Sequence, residues 1–524
     1  MSGMFEPKTD KASRKIAQTQ KEIKEKKKKR IRTVTVLVVL VLVSAIAITI
    51  NSSFIRRTLP VVRIDGRGFT TAEFEYFFNA EYNDYVEYLS QFQGMEGFLP
   101  DPSRPLSGQI YDSQTGETWA DFVMSMALAN MTEATAMYHT AKAAGFQLSQ
   151  EQRDDIDDEL EMVAFQAMIS RFPSSDALLQ RMFGNSMNER VYRNILEFLF
   201  TARFFSEHIR ESFVYSSDSI TSYYMENRDE LDVFNFRLIE INIDTSGDDF
   251  LGEDDDDTVL INTPEAAREK ALQIAAGIIN EADFLEAARE EEGEYFDPDA
   301  SLLRMQGAWI DDEDVSEWLT DDSRSYGDVT VIDVEYGSLV VFFISRDENN
   351  YRTTGFRQIL LSREDVLPED FMLGNIDPEY LEALENAEIF LNDRANEVYA
   401  LFEAAGKSEQ ALLDLMDEYT DDGSEGGIYT DIALIPYQTA YIQTMRVVKE
   451  IEDWLFDESR QVGDTELILT EAFGYHLVYF VGTGDVFSTM MAEDRMRTRD
   501  HTEWIEGLSR GNPSKTAAFI LVNV

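Results

Sequence analysis

Residues 318–343 read WLTDDSRSYGDVTVIDVEYGSLVVFF, and residues 454–480 read WLFDESRQVGDTELILTEAFGYHLVYF. Five positions of the first stretch recur 136 residues later. Trp318-Leu319 corresponds to Trp454-Leu455, Arg324 to Arg460, and Gly327-Asp328 to Gly463-Asp464. One residue later than that shift, Gly337 and the apolar run 340–343 recur as Gly474 and the run 477–480. A recurrence at fixed spacing indicates a duplicated structural unit.

The sequence before each of these stretches is also alike in the two copies. An apolar alternating strand is predicted at Phe236–Ile243 and again at Phe356–Leu361. Helical sequence and a glycine turn follow in both, at 266–288 with Gly307, and at 379–405 and 409–419 with Gly426-Gly427. We therefore predict two tandem α+β domains of about 100 residues or a little more, at 233–348 and 350–482.

The N-terminus predicts a membrane anchor. Residues 33–50 are 18 consecutive residues without a charge, enough for a helix to cross a hydrocarbon core of about 30 Å. Residues 1–32 carry twelve Lys and Arg against four Asp and Glu, which places them in the cytoplasm and the bulk of the chain outside it. A cleaved signal peptide ending near Ala45-Ile46-Ala47 is the alternative that the sequence leaves open.

Composition excludes several classes of function. The chain carries a net charge of −53 although its first 32 residues are basic, so the exported part repels nucleic acid phosphates. With no cysteine, it has no disulfides, thiol chemistry or thiolate metal sites. No metal site or cofactor is predicted, because the histidines lack partners at ligand spacing and no phosphate-binding loop is present.

Residues 58–232 predict a mostly helical module. Thr70-x-x-Glu73 is a capping box that opens a helix. An aromatic stripe follows on that helix, and we predict that it contacts unfolded segments: Phe74, Phe77, Phe78 and Tyr82. Residues 483–524 predict a helix and an apolar terminal strand that returns to this module. Its simplest partner is Val61–Asp65, for which no nearby hairpin strand is predicted.

These motifs resemble a known family. The turn Asp421-Asp422 with Gly426-Gly427, and the closing Gly474-Tyr475-His476, resemble those of parvulin-type peptidyl-prolyl isomerases. The helical region, with Ile64-Asp65-Gly66 and Tyr223-Tyr224-x-x-Asn227, resembles the module of the SurA, PrsA and PpiD extracytoplasmic chaperones. The resemblance implies an α+β architecture with an N-terminal transmembrane helix, a SurA-like helical chaperone module and two parvulin-like domains inserted in it.

The resemblance also implies site residues in the second domain. Asp422 takes the turn position, His476 the closing position, and Gln358 the strand position where the family has a histidine. Val447, Val448 and Ile451 correspond to the wall of the proline pocket. Interpretations of His476 as a core histidine and of Asp422 as only a turn former remain open.

The first domain departs from the family pattern. Leu339 replaces the closing histidine, and Leu238 or Ile239 replaces the strand histidine, so we expect this domain to be inactive.

Two functions remain open at this point. The first is a tethered chaperone and foldase for newly exported, unfolded polypeptides, with weak peptidyl-prolyl cis-trans isomerase activity in the second domain. The second is a non-catalytic scaffold that docks one envelope or secretion partner.

Overall fold

The computed structural model describes residues 35–37, 39, 53–91, 99–243, 261–293, 296–298, 301–363, 378–434 and 447–511. Among these residues, no helix is both long enough and apolar enough to cross a membrane. Most of the predicted transmembrane segment 33–50 lies outside the described residues, as does the predicted terminal strand at 517–524. The chain divides into two compact units, residues 1–214 with 497–524 and residues 215–496. The predicted domain boundaries stay predictions.

The first unit is mostly helical. Its elements run in the order α1 (Ser53–Thr58), β1 (Pro60–Ile64), β2 (Arg67–Thr70), α2 (Thr71–Ser90), β3 (Ile110–Asp112), β4 (Glu117–Thr118), α3 (Trp119–Ala143), α4 (Gln150–Ile169), α5 (Ser175–Phe183) and α6 (Glu189–Ser212). The capping box at Thr70 and Glu73 is present, with the Glu73 carboxylate accepting from the Thr70 N–H at 2.8 Å. The sequence therefore predicted the start of α2 correctly.

A β-hairpin forms part of the core of this unit. Strand β1 pairs antiparallel with β2 through a two-residue turn at Asp65 and Gly66, both of which have positive φ. The expectation that Val61–Asp65 lacks a nearby hairpin partner was therefore wrong, because the Asp-Gly turn folds the chain directly back on itself. Val62, Ile64 and Phe69 then pack with α2 and α3 in one buried cluster.

The second unit contains the two repeats, preceded by α7 (Ser217–Glu226) and α8 (Arg228–Leu231). The first repeat consists of β5 (Val233–Asn242), α9 (Pro264–Gly277), α10 (Glu281–Glu292), β6 (Leu302–Gln306), α11 (Glu313–Thr320), β7 (Val329–Val334) and β8 (Gly337–Asp347). The second consists of β9 (Arg352–Ser362), α12 (Pro378–Ala404), α13 (Glu409–Tyr419), β10 (Ile428–Ile432), α14 (Lys449–Leu455), β11 (Thr465–Thr470) and β12 (Gly474–Val486). The helix α15 (Phe487–Gly511) follows.

The two repeats have the same topology. Each contains a four-stranded antiparallel sheet, in the order β6-β5-β8-β7 and β10-β9-β12-β11. In the second repeat, α12 and α13 cover one face through Leu391, Phe402 and Leu412, and α14 packs on the other face. The mixed α+β fold class predicted from the sequence is confirmed.

The repeated motif has the same geometry in both copies. The Arg324 guanidinium lies 4.7 Å from the Trp318 ring and donates to the Trp318 carbonyl at 2.9 Å. Arg460 lies 4.0 Å from the Trp454 ring and donates to its carbonyl at 3.0 Å. In each copy, the arginine stacks on the tryptophan ring and donates a hydrogen bond to the tryptophan carbonyl. These two contacts hold the short helix against the turn that follows it. The shared spacing in the sequence thus reflects one shared local structure.

A buried ion pair joins α8 to the first repeat. Arg346 donates to Asp232 at 2.6 Å and to Asp229 at 2.7 Å. The Asp232 carboxylate is almost fully buried and also accepts from the Tyr224 hydroxyl. A carboxylate so far from water depends on these donors for its charge.

Candidate functional site

A chain of hydrogen-bonded polar side chains crosses one face of the second repeat's sheet. Gln358 on β9 donates through Nε2 to the Asp422 carboxylate at 2.9 Å. Its Oε1 lies 2.8 Å from Nδ1 of His476 on β12. The other ring nitrogen of His476, Nε2, lies 3.1 Å from the Thr470 hydroxyl at the end of β11. The structure therefore brings together the three residues predicted as catalytic, Asp422, Gln358 and His476.

The direction of each hydrogen bond in this polar chain follows from Asp422. An ionised carboxylate only accepts, so the Gln358 atom that faces it is the amide nitrogen and the atom that faces His476 is the oxygen. His476 therefore carries its proton on Nδ1, and its Nε2 accepts from the Thr470 hydroxyl. One arrangement of donors satisfies every member, which is the condition under which a buried polar network is stable.

Asp422 is the charged end of the polar chain. It accepts from the Tyr429 hydroxyl at 2.9 Å and from the Ser424 N–H at 3.0 Å, in addition to Gln358. Partial burial by itself raises the pKa of a carboxyl group, but these hydrogen bonds outweigh it and hold the pKa of Asp422 below its usual value. Asp422 is therefore ionised at neutral pH and partly buried at the edge of the site.

Two glycines allow the backbone to bring these side chains together. A Cβ on Gly427 would lie 2.5 Å from the Gln358 carbonyl oxygen, and one on Gly474 would lie 2.5 Å from the Leu361 carbonyl oxygen. Both glycines also have positive φ. The Asp421 carboxylate, paired with Arg394 at 3.3 Å, accepts from the Ser362 N–H at 2.8 Å and ties the turn to β9. Close packing around the site thus requires a glycine at position 427 of the Gly-Gly motif and at position 474 of the Gly-Tyr-His motif.

Burial determines the charge of His476. The side chain is only 4% exposed, and this desolvation lowers its pKa to about 4, although the charge of Asp422 opposes the shift. His476 is therefore neutral at physiological pH and acts in the polar chain as a fixed donor and acceptor.

The pKa of His476 predicts a pH dependence of stability. The folded pKa of about 4 lies below the ordinary histidine pKa of 6.5, so the unfolded chain binds the proton first as the pH falls. The stability from keeping His476 neutral is fully present above pH 6.5 and is lost as the pH falls towards 4. At pH 4.5 we expect this loss to reach about 2.5 kcal/mol.

Urea unfolding of the wild type and of His476→Leu at pH 7.5 and 4.5 measures this loss. Between pH 7.5 and pH 4.5, the free energy of unfolding of the wild type should fall more than that of the variant, and the extra fall should be about that amount. His208→Leu, which removes an exposed histidine, is the control and should not show the shift. A pH-independent difference for His476→Leu would contradict the buried neutral assignment.

The first repeat has apolar residues at the equivalent positions. Leu238 pairs with Val341 on β8 as Gln358 pairs with Val478 on β12, so Leu238, not Ile239, occupies the strand position. Counted from the glycines at the start of β8 and β12, Leu339 corresponds to His476. Val334 pairs with Gly337 in the same way that Thr470 pairs with Gly474, so Val334 corresponds to Thr470. The polar chain is therefore a feature of the second repeat alone.

The predicted wall residues lie on the same face of the sheet. Ile451 is buried in the cluster formed by α14 with Phe356, Val478 and Phe480. Val447 and Val448 pack partly exposed against this cluster. They border the sheet face that carries Gln358 and His476, whereas Ile451 has little surface to offer a ligand.

The predicted client-binding stripe of the helical module is in the core. Phe74, Phe77 and Phe78 are at most 3% exposed, because the hairpin, α3 and α6 cover that face of α2. Only Tyr82 is partly exposed. The stripe that we predicted to bind clients thus forms the core of the module, and a surface for clients must lie elsewhere.

Sequence reasoning did not identify two members of the site. Thr470 and Tyr429 both bond directly to the predicted residues. Tyr429 had a signal, since it lies two residues after the Gly426-Gly427 turn. Thr470 had a weaker one, because it lies across the hairpin turn from His476 and is the last residue of its strand.

No protein-family model and no curated protein matches the sequence. Among solved structures, the chain is similar to PrsA from Bacillus subtilis at 12% sequence identity. The match covers 57% of this chain and 88% of that chain, with a TM-score of 0.16.

Proposed function

We propose that this protein is a membrane-anchored extracytoplasmic foldase, which binds unfolded exported polypeptides and weakly catalyses X-Pro isomerisation in its second repeat. One observation carries the catalytic part. The Asp422–Gln358–His476–Thr470 chain is complete in the second repeat, while apolar residues replace Gln358, His476 and Thr470 in the first. The first repeat has the same topology without these polar side chains, so the fold itself does not require them. Their presence in the second repeat therefore points to a function.

The geometry suits the chemistry of isomerisation. The X-Pro bond rotates over a barrier of about 18–20 kcal/mol through a twisted amide, and lowering this barrier needs neither a nucleophile nor a metal. It needs a water-poor apolar surface for the proline ring and fixed hydrogen-bonding groups beside it. Val447 and Val448 provide partly exposed apolar surface, and Asp422 is held rigidly by three donors.

We expect the activity to be weak. An amide at Gln358 donates and accepts hydrogen bonds but cannot change its charge as an imidazole does. The exposed wall residues are also valines, which offer a proline ring less contact surface than larger side chains would.

Refolding of a denatured client whose slow phase is prolyl isomerisation tests the proposal. The protein at catalytic concentration should accelerate that phase, because each molecule acts on many clients. If it slows aggregation but leaves the slow phase unchanged, the protein is a holding chaperone only. Binding to one native partner, with no effect on unfolded clients, would instead support a non-catalytic scaffold.

A stripe of apolar side chains on α4 supports the holding function. Met162, Phe165 and Ile169 follow helical spacing and are each more than half exposed, as is the adjacent Met168. They lie on the side of α4 opposite to its buried Leu160 and Val163. Large exposed apolar patches on soluble proteins mark interaction sites, and methionine adapts to varied partners.

Polar substitution of this α4 stripe should weaken client binding. In the variant Met162→Ser, Phe165→Ser and Ile169→Ser, we expect at least a fivefold higher protein concentration for half-suppression of client aggregation. The free energy of unfolding should change by less than about 1 kcal/mol, because the residues are exposed. Light scattering of a denatured client measures the effect. The control Ile279→Ser with Val462→Ser removes two exposed apolar residues of the second unit. Equal loss in both variants would contradict a specific role for α4.

The membrane anchor belongs to the proposal and rests on the sequence of residues 1–50. In cells freed of wall or outer membrane, added protease should digest the chain beyond residue 60 and spare a tag at the N-terminus. Immunoblotting for tags at both ends measures this. A signal-peptide mechanism would instead release a protein that lacks the N-terminal tag, and protection of the C-terminal tag would contradict the proposed topology.

A further inference from the structure

A cavity of about 550 Å³ in the first unit has more basic than acidic side chains in its lining. It lies between the hairpin, α3, α4 and α6, and four basic side chains face two acidic ones: Arg67, Lys142, Arg153 and Arg193 against Asp157 and Glu197. The whole chain, by contrast, contains 99 acidic residues and 46 basic residues. The cavity therefore reverses the charge balance of the protein around it.

The charge of this cavity is only partly neutralised from within. Arg193 pairs with Asp157 at 2.7 Å, but both side chains are substantially exposed, so the pairing is weak. Lys142 is exposed and lies 5.2 Å from the Tyr138 ring. Lys142 and Arg193 thus retain capacity for an anionic ligand.

Arg67 is the most buried of the four basic side chains that line the cavity. Its guanidinium lies 3.6 Å from the centre of the Phe198 ring, and its bond to Glu73 is long at 3.3 Å. Its Nε is buried with no hydrogen-bond acceptor among the described residues. Burial lowers the pKa of Arg67, and the nearby Glu73 carboxylate opposes this shift without cancelling it. A pre-positioned guanidinium loses little entropy when it binds an anion.

The remaining polar lining matches peptide groups. Gln147, Gln150 and Asn194 contribute side-chain amides, each of which both donates and accepts hydrogen bonds. Backbone N–H and C=O groups of an extended polypeptide need this combination. The two carboxylates in the lining oppose a doubly charged ligand more than a singly charged one. The volume is in the range of pockets that hold small ligands or short segments.

We propose that this cavity binds a carboxylate-bearing segment of polypeptide, with the carboxylate at Arg67, Lys142 and Arg193 and the adjoining peptide groups at the side-chain amides. The carboxylate is either the C-terminus of a client or an Asp or Glu side chain within it. That the ligand is a polypeptide rests on the proposed chaperone function; that it is a carboxylate rests on the cavity.

Fluorescence anisotropy with the full chain and rhodamine-labelled, alanine-rich octapeptides tests this proposal. One peptide has a free C-terminal carboxylate, one is amidated with no acidic residue, and one is amidated with an internal glutamate. The uncharged peptide should bind at least tenfold more weakly than one of the charged peptides, and the stronger of those two identifies the source of the carboxylate. Equal binding of all three would overturn the proposal. Displacement by inorganic phosphate at peptide-like concentrations would also do so, since it indicates a general anion site.

The variant Lys142→Gln with Arg193→Gln locates the binding. It should reduce the affinity for the preferred charged peptide at least tenfold, whereas Arg203→Gln should have little effect. Arg203 lies on the same helix as Arg193 and outside the cavity lining. Unchanged affinity in the double variant would place the binding elsewhere. These substitutions are remote in sequence from the second repeat, so isomerase activity serves as an independent measurement, and its absence would contradict only the proposed function.

Discussion

Replacing the polar chain by the residues of the first repeat should abolish isomerase activity without unfolding the protein. In the variant Gln358→Leu, Thr470→Val and His476→Leu, we expect catalysis of X-Pro isomerisation to fall at least tenfold. The free energy of unfolding should change by less than about 1 kcal/mol, because removing hydrogen-bond partners together leaves few unsatisfied groups. Asp422 retains Tyr429 and the Ser424 N–H as donors. A coupled peptide assay and urea unfolding measure the two quantities.

The single substitution His476→Leu is the matched control for stability. It leaves the Gln358 oxygen and the Thr470 hydroxyl without their partner, so it should destabilise the protein more than the triple variant does, by about 1–3 kcal/mol. Full activity in a folded triple variant would mean that the polar chain has only a structural role.

The variant Arg346→Met should cause the largest loss of stability. Asp232 would then be buried without its counter-charge, which costs about 3–5 kcal/mol at pH 7. The loss should shrink towards pH 4, because burial raises the pKa of Asp232 and a protonated carboxyl group needs no counter-charge. Urea unfolding at pH 7 and 4.5 measures both effects.

Two further variants separate the ion pair from its surroundings. Adding Asp232→Asn to Arg346→Met should restore part of the lost stability, because the buried charge is removed. Arg228→Met breaks a more exposed pair with Asp322 and should cost less than about 1 kcal/mol. Equal costs for Arg346→Met and Arg228→Met would contradict the importance of burial.

Local sequence signals predicted the architecture well. The helix predicted at 409–419 is Glu409–Tyr419 in the structure, and the repeated Trp, Arg and Gly-Asp positions form the same bonds twice. These features depend on residues near one another in the sequence. The hairpin at Asp65-Gly66 was missed although its turn signal was present, because Arg67–Thr70 is too short to show strand alternation.

Tertiary contacts account for what the sequence could not show. Gln358 replaces an expected histidine, which suggested a weakened site. Its amide nevertheless joins Asp422 to His476, and His476 lies 118 positions from Gln358 in the sequence. An apolar stripe on a helix indicates a buried face and a binding face equally well. The structure assigns Phe74 and Phe77 to the core and exposes Met162 and Phe165, which sequence periodicity alone does not distinguish.

NMR exchange spectroscopy on a short peptide with one X-Pro bond tests the central claim most directly. It measures cis-trans interconversion with no client refolding and no coupled enzyme, so a holding function cannot mimic catalysis. With the full chain at catalytic concentration, we predict an interconversion rate above that of the peptide alone, and a rate close to the peptide's own with the triple variant. An unchanged rate with the wild-type protein, under conditions where the peptide binds, would contradict an isomerase site in the second repeat.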